Sequence, residues 1–197
     1  MTQRPPRRSV SLAVERLEDR YTPQGGGTVT GSLAGHVYTV TGDVHYNDVT
    51  LAGTGTPGAF TLTGNNATTV TGLANPTGVT KVVFDMQGGH DNVTVNGARL
   101  KRLVFLGGEG NNIFQATNLV LSENLRIING AGLDNTNVRN FRINGNVTIN
   151  NGDGGSYTYL YALSAGFGFC RVGGNVVVAH SATASVCRDF ETGAAAR

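Results

Sequence analysis

The chain's 197 residues include 29 glycines, no tryptophan and 14% charged residues, a composition that favours short strands and turns over helices. The formal net charge of +2 is uneven: residues 1–20 carry Arg4, Arg7, Arg8, Arg16 and Arg20 against Glu15, Glu18 and Asp19, and the rest balances ten basic against ten acidic residues. A neutral body without clustered Lys or Arg argues against nucleic acid as a partner, because that binding depends on neutralising phosphates. No run approaches the roughly 18 apolar residues needed to span a bilayer. Nor is there the unbroken apolar segment of a secretory signal, since Val10, Leu12, Val14 and Leu17 are interleaved with polar residues.

Residues 1–24 read as a separate head. Arg4-Pro5-Pro6-Arg7-Arg8 predicts a disordered start, and Ser9 to Arg20 a short amphipathic helix ended by Pro23. Glu15-x-Leu17-Glu18-Asp19-Arg20-x-x-Pro23, preceded by an Arg pair, resembles the LEDR-x-x-P head at the start of many large secreted or surface-associated proteins of planctomycete bacteria. Gln24 stands where that pattern has a small residue. The resemblance implies an export or sorting element ahead of β-rich repeats, and so an extracellular or cell-surface location.

Residues 25–80 are β-like but lie outside the period that follows. After the hinge Gly25-Gly26-Gly27, apolar residues alternate through Thr28 to Thr41. Val49-Thr50-Leu51, Phe60-Thr61-Leu62 and Thr69-Val70-Thr71 come next, bounded by Gly, Pro and Asn, the pattern of strands and turns. They predict an antiparallel cap or irregular first coils, which would cover an otherwise bare ladder edge.

Residues 81–180 organise the chain. Val82-Val83-Phe84, Leu103-Val104-Phe105, Leu125-Arg126-Ile127, Val147-Thr148-Ile149 and Val176-Val177-Val178 recur at spacings of 21, 22, 22 and 29 residues. Such a period marks a solenoid. Alternation sends the outer pair of each triplet inward and the middle residue outward. A Gly corner follows each of the first four triplets: Gly88-Gly89, Gly108-Glu109-Gly110, Gly130-Ala131-Gly132 and Gly152-Asp153-Gly154. A second strand comes next (Val93–Val95, Ile113-Phe114, Asn137-Val138, Thr158–Leu160), and a third at Leu119–Leu121 and Phe141–Ile143. Three strands and three corners per coil predict an all-β, single-stranded parallel β-helix of about 22 residues per coil. Asn124, Asn146 and Asn175 each precede a first strand and suggest an internal ladder of stacked amides. The 29-residue step holds Tyr157, Tyr159, Tyr161, Phe167 and Phe169, an aromatic insertion expected to fold back as a loop. Residues 181–197 read as a tail or modest cap. Cys170 and Cys187 fit no metal motif, and both a disulfide and free thiols remain open.

The corners hold the candidate chemistry. Gly107-Gly108-Glu109-Gly110-Asn111-Asn112-Ile113-Phe114 resembles the Gly-Gly-x-Gly-x-Asp-x-apolar nonapeptide of calcium-binding haemolysin-type repeats, with Asn112 in the aspartate position. The resemblance implies Ca²⁺ between turns, with Asp91, Glu109, Asp134 and Asp153 as the available carboxylates. A hard cation needs six to eight oxygens, and Glu109 and Asp153 share a column two coils apart, about 10 Å. The corners by themselves also call for Gly, Asn and Asp, so no metal site is assigned. Asp85 stacks over Leu106, Ile128 and Asn150, so its column offers no second carboxylate for glycosidase chemistry. His36, His45, His90 and His180 fall at unrelated registers.

The expectation is a non-enzymatic, exported surface or matrix protein, structural or adhesive, without a cofactor. It would engage an unidentified surface polymer or protein, as a monomer or by edge-to-edge association. A Ca²⁺-binding haemolysin-repeat-like module is the alternative, and a carbohydrate-active β-helix a more remote one.

Overall fold

The computed structural model describes residues 26–162 and 170–179, together with the backbone of 183–186. Every regular element in them is a strand. In chain order these are β1 (Thr28–Ala34), β2 (Val37–Thr41), β3 (Asp48–Gly53), β4 (Phe60–Gly64), β5 (Thr69–Gly72), β6 (Lys81–Asp85), β7 (Asn92–Asn96), β8 (Arg99–Leu100) and β9 (Arg102–Gly108). There follow β10 (Ile113–Leu121), β11 (Leu125–Asn129), β12 (Asn135–Ile143), β13 (Val147–Asn150), β14 (Tyr157–Tyr161), β15 (Cys170–Val172), β16 (Val176–Ala179) and β17 (Thr183–Val186). The chain is thus all-β. The predicted head (1–24), Phe167, Phe169, His180 and Cys187 lie outside the described residues.

Two mixed sheets face each other. The first has the order β16-β13-β11-β9-β6-β2-β1-β5, and the second β17-β14-β12-β10-β7-β3-β4, with β15 also beside β12 and β8 beside β10. Two pairs are antiparallel, β1 with β2 and β3 with β4. All other pairs are parallel, and their registers follow the sequence spacing. Val82, Leu103, Leu125, Val147 and Val176 form one row of partners, and Phe84, Phe105, Ile127, Ile149 and Val178 another. The first four members of each row are fully buried, whereas Val176 and Val178 in the last strand are half-buried. Phe105 also meets Phe114 of the second sheet, ring centroids 5.1 Å apart. At roughly 2–3 kcal/mol for a fully buried large apolar side chain, these rows hold the sheets together.

The parallel rows reach further toward the N-terminus than the sequence period does. β2 pairs in parallel with β6, Val40 beside Phe84, and β3 pairs with β7, Val49 beside Val93. The hairpins β1–β2 and β3–β4 then turn the same strands antiparallel. Tyr38 closes this end of the core, its ring 5.1 Å from that of Phe60 in an edge-on contact, its hydroxyl donating to the Leu73 carbonyl. Burial pushes its pKa up to about 12.

The corners depend on backbone that few residues accept. The nine-residue strands β10 and β12 bend at Asn118 (φ 56°) and Asn140 (φ 47°), where the short amide side chain tolerates the left-handed region. The predicted second and third strands are therefore continuous in both. At the first corner a Cβ on Gly110 would overlap the Gly89 carbonyl, and one on Gly132 the Gly110 carbonyl. The recurrence of Gly there reflects direct rung-on-rung approach as well as positive φ (103° at Gly110).

Three expectations are corrected. Asn124, Asn146 and Asn175 are exposed rather than internal, and their ladder joins side chain to backbone: Asn124 Oδ1 accepts from Asn146 N–H at 2.8 Å, and Asn146 Oδ1 from Asn175 N–H at 2.9 Å. They sit at a corner, where backbone N–H groups lack strand partners. Tyr157, Tyr159 and Tyr161 are not in a loop. They project from β14, which pairs with β12 over its whole length, and Arg139 stands 5.5 Å from the Tyr161 ring. Register lengthens later, because Arg139 pairs with Tyr161 at 22 residues but Phe141 with Cys170 at 29. Lastly, part of the expected tail is strand: β17 pairs in parallel with β14. Cys170 is disulfide-bonded.

Candidate functional site

The four candidate carboxylates separate into two kinds. Asp91 and Asp134 are buried, 1% and 0% exposed, whereas Glu109 and Asp153 are exposed at the corner. Asp91, Val93 and Val95 are two residues apart and all point inward. Alternation therefore carries the acid into the core with its neighbours.

Asp91 and Asp134 belong to an internal polar column. Asn47 N–H donates to Asp91 Oδ1 (2.9 Å), Asp91 N–H to Asn112 Oδ1 (3.1 Å), Asn112 N–H to Asp134 Oδ1 (2.8 Å) and Asp134 N–H to Ser156 Oγ (3.1 Å). Each side chain thus satisfies the backbone donor of the preceding rung. The two asparagines make further bonds: Asn47 Nδ2 donates to the carbonyls of Asp43 and His45, and Asn112 Nδ2 to those of Gly108 and Gly110. Both times these are the residues four and two positions earlier. At the equivalent places Asp91 Oδ2 and Asp134 Oδ2 are buried without a hydrogen-bond partner.

A carboxyl group in such a place favours its neutral form. Burial pushes Asp91 up to about 7, against the N–H donors of Asn47 and with a further push from Asp43. Burial likewise raises Asp134 to about 6, against the donors of Asn112 and with the charge of Glu109 adding to it. The column is a structural element that links successive strands through side-chain acceptors and backbone N–H donors.

As a metal centre the four acids do not converge. Among the described residues no group of three or more His, Cys, Asp or Glu is placed to share a cation. Asn112 separates Asp91 from Asp134 along the column, and the exposed pair occupies another. Excess chelator is therefore expected to leave the thermal melt of the full chain unchanged. A Ca²⁺-dependent rise would contradict this, since a site at a hundredfold its Kd adds about 2.7 kcal/mol. Asp85 pairs with Leu106, as its spacing predicts, and no acid stands beside it in that row. His45 lies 3.4 Å from Asp43 on the surface, and His90 accepts from Asn111 N–H; neither belongs to a nucleophile–base pair among the described residues.

A second site was not evident in the sequence. On the edge formed by β8, β10, β12 and β15, Arg99 pairs with Val120, Val120 with Arg142, and Arg142 with Arg171. The inward neighbours Leu100, Leu121, Ile143 and Val172 are buried, so Arg99, Arg142 and Arg171 face solvent in one column. Lys101 is exposed two residues from Arg99. Arg99, Lys101, Arg142 and Arg171 are four of the eight Lys and Arg between residues 26 and 179. The ion pairs among the described residues are His45–Asp43 and Arg102–Glu123, so none of these four pairs with a described carboxylate.

Arg99, Lys101 and Arg142 line an open groove of about 470 Å³ together with Pro57, Gly58 and Val79, and Arg171 continues the column next to Arg142 outside the groove's lining. Gly58 and Val79 are fixed by backbone bonds. Gly58 N–H donates to the Arg99 carbonyl (2.8 Å) and Val79 N–H to the Gly58 carbonyl (3.0 Å). Gly58 has φ 72°, and a Cβ there would overlap the Val79 carbonyl. The fold thus brings Arg142 and Arg171, distant in sequence, into line with Arg99 of the short basic run Arg99-Leu100-Lys101-Arg102.

No protein-family model, curated protein or solved structure matches this chain. Among the described residues no helix is long and apolar enough to cross a membrane.

Proposed function

We propose that the chain forms a single-stranded parallel β-helix and works without catalysis, as a stiff structural or adhesive element at a cell surface or in its matrix. The observation that carries this reading is the row Phe84, Phe105, Ile127, Ile149 and Val178, in which matching positions of successive segments are strand partners. Parallel stacking of this kind turns each position of a coil into a column along the molecule. Its outer surface then presents rows such as Thr94, Gln115, Asn137 and Tyr159 on the second sheet. Rows of hydrogen-bonding side chains at a spacing of about 4.8 Å suit extended polymers.

The address outside the cytoplasm draws on two features. The LEDR-x-x-P-like head resembles that of exported planctomycete proteins, and a disulfide-bonded Cys170 suits an oxidising compartment. Fractionation of cells into cytoplasm, surface and medium tests it. The protein is expected in the surface or medium fraction, with Cys170 unreactive to thiol reagents until reduced. Recovery as a cytoplasmic protein with a free thiol would refute the address.

A further inference from the structure

We propose that the groove over β8, β10 and β12, extended by Arg171 of β15 beside Arg142, binds an acidic polysaccharide, a hydroxylated chain carrying carboxylate or sulfate groups. This binding role rests on the adhesive reading above and gives it a polymer class.

Charge complementarity carries the choice of an anion. Arg99, Lys101, Arg142 and Arg171 stand together, exposed and without a carboxylate partner among the described residues. Glu123, at the neighbouring corner, already receives the Arg102 guanidinium. Clusters of like charge are retained at a cost in self-repulsion, and a bound polyanion relieves it.

Geometry argues for an extended chain. Strand partners are about 4.8 Å apart, so Arg142 and Arg171 are one step apart and Arg99 and Arg142 two steps, about 10 Å. A single small anion cannot reach all three. A polymer laid along the column meets guanidinium groups at three of its four successive positions, Val120 filling the other, and the planar fork suits bidentate contact with carboxylate or sulfate. Thr80, Ser122 and Asn144 line the same groove and offer hydrogen bonds to hydroxyl groups.

Nucleic acid fits less well. Among the described residues no aromatic side chain lines the groove, so bases have no stacking platform. Arg139 and Arg126 lie on other faces, paired in β12 with Tyr161 and in β11 with Val104 and Thr148, so no broad basic surface meets a duplex.

The test is titration of the full chain, by calorimetry or affinity electrophoresis, with polygalacturonate, dextran sulfate, neutral dextran and a single-stranded oligonucleotide. Binding is expected to at least one of the first two, with the difference between them identifying the anion. It should weaken steeply from about 0.01 M to about 1 M salt, as the screening length shrinks from about 30 Å to about 3 Å. Neutral dextran should not bind. Arg99→Gln with Arg142→Gln should lose about tenfold in affinity per arginine, as expected for a charge-assisted contact, while Arg126→Gln should match wild type. If the double variant fails to fold, Lys101→Gln with Arg171→Gln is read in the same way. Absence of binding to both acidic polymers, equal loss in Arg126→Gln, or tighter binding to the oligonucleotide would overturn the proposal. Surface localisation without polymer binding removes only the groove's role, whereas binding by a protein confined to the cytoplasm removes only the address.

Discussion

Phe105→Ala is expected to lower the free energy of unfolding by about 3–5 kcal/mol, among the largest effects of any single substitution outside the glycine corners. Phe105 is fully buried, has Phe84 and Ile127 as strand partners on either side, and meets Phe114 across the core. Truncation would leave a cavity bounded by rigid sheet backbone on two sides, which collapses poorly. Val104→Ala, at the outward position of the same strand, should cost less than about 1.5 kcal/mol because Val104 is only half-buried. Urea midpoints of the two variants check the difference. Equal losses would mean that the triplets do not alternate inward and outward in solution. In the proposed β-helix each segment contacts mainly its neighbours, so the lesion is also expected to broaden the transition more than a surface change does.

The second large effect is a dependence on pH opposite to that of salt-bridged carboxylates. Asp91 and Asp134 have pKa values raised in the folded state to about 7 and about 6, above the ordinary carboxylate value near 4. The native protein therefore holds protons that the unfolded chain has released. Their contribution is fully present below about pH 4 and is lost as pH rises through about 6 and then about 7. At about 1.4 kcal/mol per pKa unit, the loss is at most on the order of 4 kcal/mol for Asp91 and about 3 kcal/mol for Asp134. The full chain should thus resist urea better at about pH 5 than at about pH 8. Asp91→Asn places at this rung the side chain that Asn112 already carries one rung along, where its amide donates to two carbonyls. The variant should equal wild type near pH 5, exceed it near pH 8 and flatten the profile between them. Wild type that grows more stable from pH 5 to pH 8, or a variant with an unaltered slope, would show that these carboxyl groups are ionised in the fold.

Much of the architecture was legible because its strongest signal is local. Triplets such as Leu103-Val104-Phe105 and Leu125-Arg126-Ile127 alternate within themselves and recur every 21 or 22 residues through the first four, and the structure pairs them residue for residue. Gly110 and Gly132 were legible for the same reason. The site residues were less so. Asp91 and Asp134 read as corner acids, yet their parity with Val93 and Thr136 already assigns them to the inner face. The two asparagines of the column, Asn47 and Asn112, show what the aspartates do. The basic groove was hidden for another reason. β8 is two residues long, too short for alternation to mark it, and the seven extra residues before Cys170 displace Arg171 from the period of Arg142. Arg99, Arg142 and Arg171 become neighbours only through strand pairing.

Those seven residues enter between Tyr161 and Cys170, after β14 has paired with β12 and before β15 pairs with the end of β12. Pairing resumes at once, and β16 takes its place on β13 without a missed residue, Val147 meeting Val176. The join is thus a natural splice point, tolerant of extra length. A peptide tag or a protease site added at this join is expected to leave the pairing of β15 with β12 and of β16 with β13 unchanged.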